Sequence, residues 1–119
     1  MDRSAPKRFR VTRRNDIDRI FRAGRRANDA RLTLLAAPNG LDRCRCGVGV
    51  SRRHGSAVRR NRAKRLCREA FRLSRAELPT GFDFMLVPRV GAELTLSGLQ
   101  ESLVRLAPRV ARPAKEAAE

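Results

Sequence analysis

The sequence predicts an α/β chain of the α+β sandwich type, in the order helix, strand, strand, helix, strand, helix. Its sheet should be small and mixed, with room for an additional short strand. Three observations carry the prediction. Three stretches space their apolar residues at helical intervals, and three others read as strands. The strand at 43–50, the helix at 58–75 and the strand at 82–87 follow one another, which is the pattern of parallel strands joined by a helical crossover. Finally, 119 residues suit one domain with one modest core.

The elements can be taken in order. Residues 1–8 are polar and basic and are expected to be loose; Phe9 and Val11 are the first apolar anchors. Asn15–Ala23 reads as a short helix, with Ile17, Ile20 and Phe21 on one side, Thr12 as N-cap and Gly24 as the stop. A helix this short must dock its apolar side to persist. Arg31–Ala37 reads as a strand carrying Leu32, Leu34 and Leu35, and Pro38-Asn39-Gly40 as a turn. Arg43–Val50 alternates, with Cys44, Cys46, Val48 and Val50 to one face and Arg43, Arg45, Gly47 and Gly49 to the other. These two strands are expected to pair as an antiparallel hairpin. The two glycines either relieve packing against the first helix or leave the sheet bare for a ligand.

Val58–Arg75 (VRRNRAKRLCREAFRLSR) is the most informative stretch. From Ser51 onward it gathers Arg52, Arg53, Arg59, Arg60, Arg62, Lys64, Arg65, Arg68, Arg72 and Arg75 against one acid, Glu69. Apolar or small residues at 63, 66, 67, 70 and 74 make one narrow helix face at about 100° per residue. Asn61, Lys64, Arg65, Arg68, Arg72 and Arg75 lie around the other side, Arg62 falls on the flank, and Arg59 and Arg60 belong to the first turn. Intrahelical salt bridges cannot account for so many cations beside one acid, so a polyanion is the expected partner. Pro79-Thr80-Gly81 closes the helix. Phe82–Val87 is the third strand, with Phe82, Phe84 and Leu86 on one face. A last helix starts near Ser97, with Gln100 completing a capping box, and carries a stripe of Leu96, Leu99, Leu103, Leu106 and Val110. Pro108 should end or bend it, with residues 109–119 fraying.

Composition narrows function. Lys and Arg number 28 against 12 acids, a formal charge of +16, and all but three of the cations are arginine. Arginine suits forked bonding to phosphate and stacking on bases. Nucleic acid is favoured over an anionic membrane; no run reaches the ~20 apolar residues of a membrane span, and a cytoplasmic protein is the simple reading. Cys44, Cys46 and Cys67 sit among apolar positions, which argues against a disulfide framework, and Cys44-x-Cys46 lacks a second metal-binding pair. His54 stands alone in a basic loop and is at most an auxiliary RNA contact. The acids are scattered, and Asp16 and Asp18 diverge by about 200° on a helix. A self-contained active site is therefore not expected. Strands beside a basic helix favour RNA over DNA, with Phe9 and Phe21 as either stacking platforms or core residues.

RRNRAKRLCREAFR at 59–72 resembles the signature of the bacterial ribonuclease P protein subunit. RRNDIDRIFRAG at 13–24, GVGVSRR at 47–53, LPTGFDFMLVPR at 78–89 and LTLSGLQESLVRL at 94–106 extend the resemblance over most of the chain. It implies the small partner of a catalytic RNA that removes the 5′ leader from precursor tRNA. The RNA would hold the active site and require Mg²⁺, and the protein would bind no cofactor and need no further protein partner. The implied fold has a left-handed β-α-β crossover around the basic helix. Carried onto this chain, Arg52, Arg53, Arg60, Asn61, Arg62, Lys64, Arg65 and Arg68 would face the catalytic RNA. A leader cleft would involve Phe9, Ile17, Phe21, Arg43 and Arg45. Many relatives that this sequence resembles carry phenylalanine where Ile17 stands, and isoleucine offers apolar contact without a stacking face. The competing reading is a ribosomal or general RNA-binding chaperone with no role in cleavage.

Overall fold

The structure, a computed structural model, describes residues 7–111. Three helices, α1 (Arg14–Ala23), α2 (Ala57–Ser74) and α3 (Leu96–Val110), enclose four strands, β1 (Arg25–Asn28), β2 (Leu32–Pro38), β3 (Arg45–Val48) and β4 (Phe82–Pro88). Short 3₁₀ turns lie at Lys7–Phe9, Arg52–His54 and Arg75–Glu77. The strands lie in the order β1-β2-β4-β3.

The mixed sheet is as expected, but the hairpin is not. β2 pairs antiparallel with β1 and with β4, and β3 pairs parallel with β4. β4 lies between the two strands expected to be partners. The Asn39-Gly40 turn is real, with Gly40 at φ 71 and the Leu41 N–H donating to Asn39 Oδ1. It redirects the chain across the end of β4 instead of returning it along β2, since Asn39 N–H donates to Gly81 O. β3 and β4 are neighbours joined through α2, the parallel pairing expected of the crossover. β1 is the additional short strand; its RRAN sequence has no apolar pattern, and its order comes from pairing with β2.

The core is divided by the sheet. On one face Leu32, Leu34, Phe84 and Leu86 meet Cys67, Ala70 and Phe71 of α2 and Leu99, Leu103 and Leu106 of α3. On the other, Leu35, Ala37 and Met85 meet Val11 and Ile20, with Ile17 packed alongside. Central strands β2 and β4 are therefore covered on both faces, which suits their near-continuous apolar sequences. Gly24 lets the chain pass directly from α1 into β1: a Cβ there would collide with Ile20 O and fall 2.9 Å from Ala36 O. Among the described residues, no helix is long and apolar enough to cross a membrane.

Helix ends differ from expectation in detail. α1 has Arg13, not Thr12, at the N-cap, with no side-chain cap bond. Thr95, not Ser97, caps α3 by accepting from Gly98 N–H at 3.1 Å. Pro108 sits inside α3, which continues to Val110; that residue is buried and anchors the last turn. Fraying from Arg109 is thus corrected for 109–111. Lys7–Phe9 likewise forms a turn, and the remaining loose ends expected at 1–6 and 112–119 lie outside the described residues.

Candidate nucleic-acid interface

α2 starts at Ser56, whose Oγ accepts from Arg59 N–H at 3.3 Å. Ala63, Cys67, Ala70, Phe71 and Ser74 are buried. Phe71 was not part of the predicted stripe, yet it is fully covered and supplies the largest side chain that α2 sends inward. Arg52, Arg53, Asn61, Arg62 and Arg65 are exposed, and Arg60, Lys64 and Arg68 are half-buried. Arg60 leans back to donate to Gly55 O at 3.4 Å. Arg72 is satisfied within the helix, gripping Glu69 through two bonds of 2.9 and 2.6 Å. The single acid of the helix therefore offsets Arg72 near its C-terminal end and leaves the N-terminal part charged.

Beside α2 runs a groove of about 180 Å³ between α1 and β3. Ile17 and Phe21 form its helical wall, Gly47 and Gly49 its sheet side, and Arg10 and Arg68 border it. Phe21 is 46% exposed, which identifies it as a surface ring and not a core residue. The glycines do two things at once. A Cβ on Gly47 would meet Met85 Cε at 2.8 Å, so its absence seats the methionine; Gly49 lies 3.8 Å from Phe21 Cζ by the same measure, so its absence keeps the groove open. Arg68, expected with the outward cations, instead turns toward this groove. Arg10 was missed by the sequence reading. Its Nε is buried without a partner among the described residues, and it bridges to Cys46 at the free edge of β3.

Three residues expected in the cleft stand apart from the groove. Phe9 packs against the larger core cluster, with the guanidinium carbons of Arg75 and Arg8 at 3.7 and 4.9 Å from its ring centre. Arg43 Nε donates to Arg8 O at 2.8 Å, which ties the N-terminal turn to the strand. Arg45 holds Asp83 through Nε and Nη2, both at 2.7 Å. Asp83 is fully buried and also accepts from Arg19 at 2.7 Å and Asn39 at 2.9 Å. Burial alone would push its carboxyl up; the bonds from Arg45 and Asn39 and the charges of Arg45 and Arg19 outweigh it and hold the pKa below the usual range. Asp16 adds contacts to Arg19 and Arg45 at 3.5 and 3.4 Å. This network pins α1 across the sheet and so fixes one wall of the groove.

The network also bears on metal chemistry. Asp83 and Asp16 spend their oxygens on guanidinium groups, so they do not offer a vacant carboxylate pair for Mg²⁺. Cys44, Cys46 and Cys67 are buried in the larger core cluster; burial pushes all three thiols up, Cys67 to about 12, and leaves them protonated and inert. His54 is a tie within the fold. Its Nδ1 accepts from Ser51 N–H at 3.0 Å, so Nε2 carries the proton and donates to Pro88 O at 2.6 Å.

Fold and surface together define a class: a small α+β domain with an arginine-lined helix beside a groove that is part apolar and part cationic. The family model described as Ribonuclease P matches residues 5–111. The ribonuclease P protein component of Pelotomaculum thermopropionicum is 40% identical over 100 residues, covering 83% of this chain and 89% of that protein. That of Thermotoga maritima is 39% identical over 89 residues, covering 75% and 76%. The solved Thermotoga maritima RNase P protein superposes with a TM-score of 0.78 at 32% identity, covering 87% of this chain and 98% of that one. A Staphylococcus aureus RNase P protein gives 0.69 at 26%, covering 92% and 97%. The chain belongs to the ribonuclease P protein family.

Proposed function

We propose that this chain is the protein subunit of ribonuclease P, which binds the catalytic RNA and the 5′ leader of precursor tRNA and assists removal of the leader. The observation that carries the reading is the placement of an acid-poor arginine face directly beside a groove with an exposed phenylalanine. Arg52, Arg53, Arg60, Asn61, Arg62, Lys64 and Arg65 meet phosphates of the catalytic RNA. Guanidinium forks bond phosphate oxygens in pairs and displace condensed counterions, which anchors the protein. Ile17 and Phe21 receive the leader, Phe21 by stacking and Ile17 by apolar contact, while Arg10 and Arg68 balance its backbone charge. Arg43 and Arg45 act on the leader indirectly, by fixing the walls. Phe9 acts apart from the groove, packed on the core with Arg75 and Arg8 over its ring.

In this reading the protein moves no proton and makes no bond. The Mg²⁺ the reaction needs belongs to the RNA, and the protein's work is positioning and charge neutralisation in the cell interior, where that RNA resides. The test is a processing assay with rigorously RNA-free protein. Alone it should leave precursor tRNA uncut; added to the cognate RNA at low Mg²⁺ it should raise correct 5′ processing, more for substrates with a leader. No enhancement at any protein-to-RNA ratio would sink the proposal. Equal binding to unrelated RNAs, with no leader dependence, would favour a general RNA chaperone.

A further inference from the structure

We propose that a second cavity, between the first turns of α2 and the segment after β4, holds one unpaired nucleotide of the catalytic RNA. The inference rests on the function proposed above and adds a site that the groove does not contain. The cavity measures about 290 Å³ and is lined by His54, Arg59, Arg62, Pro88, Arg89 and Leu94, among others. That is near the small end of ligand cavities, ~300–1,000 Å³, and too small for a duplex.

Its chemistry is divided. Arg59 and Arg62 are three residues apart on α2 and so project from one side of the helix. Neither guanidinium has a hydrogen bond or ion pair among the described residues. Arg89 comes from the opposite wall and makes one long bond, to Asp29 O at 3.4 Å. The positive end of the 18-residue α2 lies at the same place. Beneath these cations the lining is apolar: Ala63 and Pro88 are buried, and Leu94 packs on the core. A bare phosphate would leave that apolar lining unused. A nucleotide matches both parts, its phosphodiester among the guanidinium groups and its base against Leu94 and the face of His54. Both His54 nitrogens are already bonded, so the ring offers only its face.

The walls are preset. The His54 bond to Pro88 O joins the loop before α2 to the end of β4. Across the cavity, Ala92 N–H donates to Arg89 O at 3.1 Å, and Gly91 at φ 83 makes that turn possible. The backbone of the walls therefore needs little ordering on binding, which leaves the arginine side chains as the main ordering cost. The catalytic RNA is the source we assign, because Arg62 belongs to the same exposed face of α2 as Arg65. Among the described residues Glu93 is the one acid that lines the cavity, and it opposes any bound phosphate.

The test uses the full chain and its cognate RNA. Ala92→Trp fills the cavity without changing the protein's charge and should weaken catalytic-RNA binding roughly tenfold; Arg89→Ala should reduce the salt slope by about one. Glu93→Gln should tighten binding about two- to threefold through removal of the opposing charge. Leader dependence of precursor tRNA cleavage should be unchanged in all three. Wild-type affinity in A92W, confirmed folded by thermal unfolding, would overturn the proposal. So would unchanged affinity in E93Q, an exposed position where folding is not at stake, or an effect confined to precursor tRNA. If the wild type itself fails to bind the catalytic RNA, the parent reading falls and not merely this site.

Discussion

Asp83→Asn is the substitution that best probes how the groove is held. The side chains are nearly isosteric, so the perturbation is one of charge and acceptors. Asp83 Oδ1 accepts from Arg45 Nε and Asn39 Nδ2, and Oδ2 from Arg45 Nη2 and Arg19 Nη2, at 2.7–2.9 Å. Asparagine keeps one acceptor oxygen and turns an amide NH₂ toward donors that cannot receive it. Arg45 then relies on Asp16 at 3.4 Å, while Arg19 keeps Asp16 at 3.5 Å and its bond to Pro38 O. Removing one partner of a fully buried ion pair costs about 3–5 kcal/mol. The Arg45 and Arg19 side chains retain 18% and 34% of their exposure, so water recovers part of the loss. We therefore expect a destabilisation of about 2–4 kcal/mol, a large share of the ~5–15 kcal/mol typical of a domain. Urea unfolding should show a lower midpoint with an unchanged slope. A cycle with Arg45→Gln should give a coupling above about 1 kcal/mol. Because Arg19 ties α1 to the sheet, the folded fraction of D83N should also lose leader preference before it loses affinity for the catalytic RNA. A destabilisation under about 0.5 kcal/mol with no coupling would refute the claim that this network holds the wall of the groove.

Phe21→Ala should leave stability within about 1 kcal/mol of wild type, since the ring is 46% exposed, but should weaken binding of leader-bearing precursor by roughly 1–3 kcal/mol relative to a leaderless one; equilibrium titration with the two substrates checks it. Arg65→Ala should weaken the catalytic RNA and lower the salt slope by about one, whereas Arg68→Ala, at the groove, should act mainly on the leader-dependent increment. Binding assays over a salt series separate the two, and identical profiles would contradict their different placements. Asp29 accepts from Arg31 N–H at 2.8 Å and Leu32 N–H at 2.9 Å and is paired with Arg105. Burial pushes its carboxyl up, but bonds from Ser102, Arg31, Leu32 and Arg105 outweigh that and lower it from 3.8 to about 2. Its stabilisation is therefore complete above the unfolded value and lost as pH falls toward 2; Asp29→Asn should flatten the fall in stability between pH 4 and 2, by roughly 1–2 kcal/mol after allowance for solvent screening.

Amphipathic elements were legible because their signal is local. The stripes of α2 and α3, and the apolar run of β4, need only neighbours within a few residues to be read. The missed features depend on distant partners. Arg45 reads as a cation facing a ligand, and only its pairing with Asp83, 38 residues away, shows that its fork is occupied. Phe82, Phe84 and Leu86 mark one face of β4 in the sequence, but nothing local shows that β4 is central and that the face holding Asp83 is covered as well. The hairpin expectation failed for the same reason, since nothing local to Pro38-Asn39-Gly40 reveals that another strand will enter between its flanks. β1 lacks any apolar pattern, so its strand geometry is imposed by β2. Arg10 is one of several cations in a basic stretch and Arg89 stands alone in sequence; neither carries a local signal of its place, and each is brought to a cavity by tertiary folding.

The distribution of acids explains how a chain of formal charge +16 can both fold and bind. Asp16 and Asp83 are placed against Arg19 and Arg45, Asp29 against Arg105, and Glu69 against Arg72. Carboxylates thus neutralise arginines that join elements of the fold or, for Arg72, the far end of α2. None of these pairs reaches Arg59, Arg62 or Arg65. Among the described residues, the densest group of cations without an acid partner lies at the N-terminal part of α2, where a polyanion relieves the repulsion. Moving an acid into that patch, as in Arg62→Glu, should therefore reduce self-repulsion and leave the protein as stable or slightly more so, while weakening RNA binding by more than Arg62→Ala does. Stability and affinity would move in opposite directions. A variant that lost both together would mean that Arg62 supports the fold, and the division between structural and binding arginines would fail at that position.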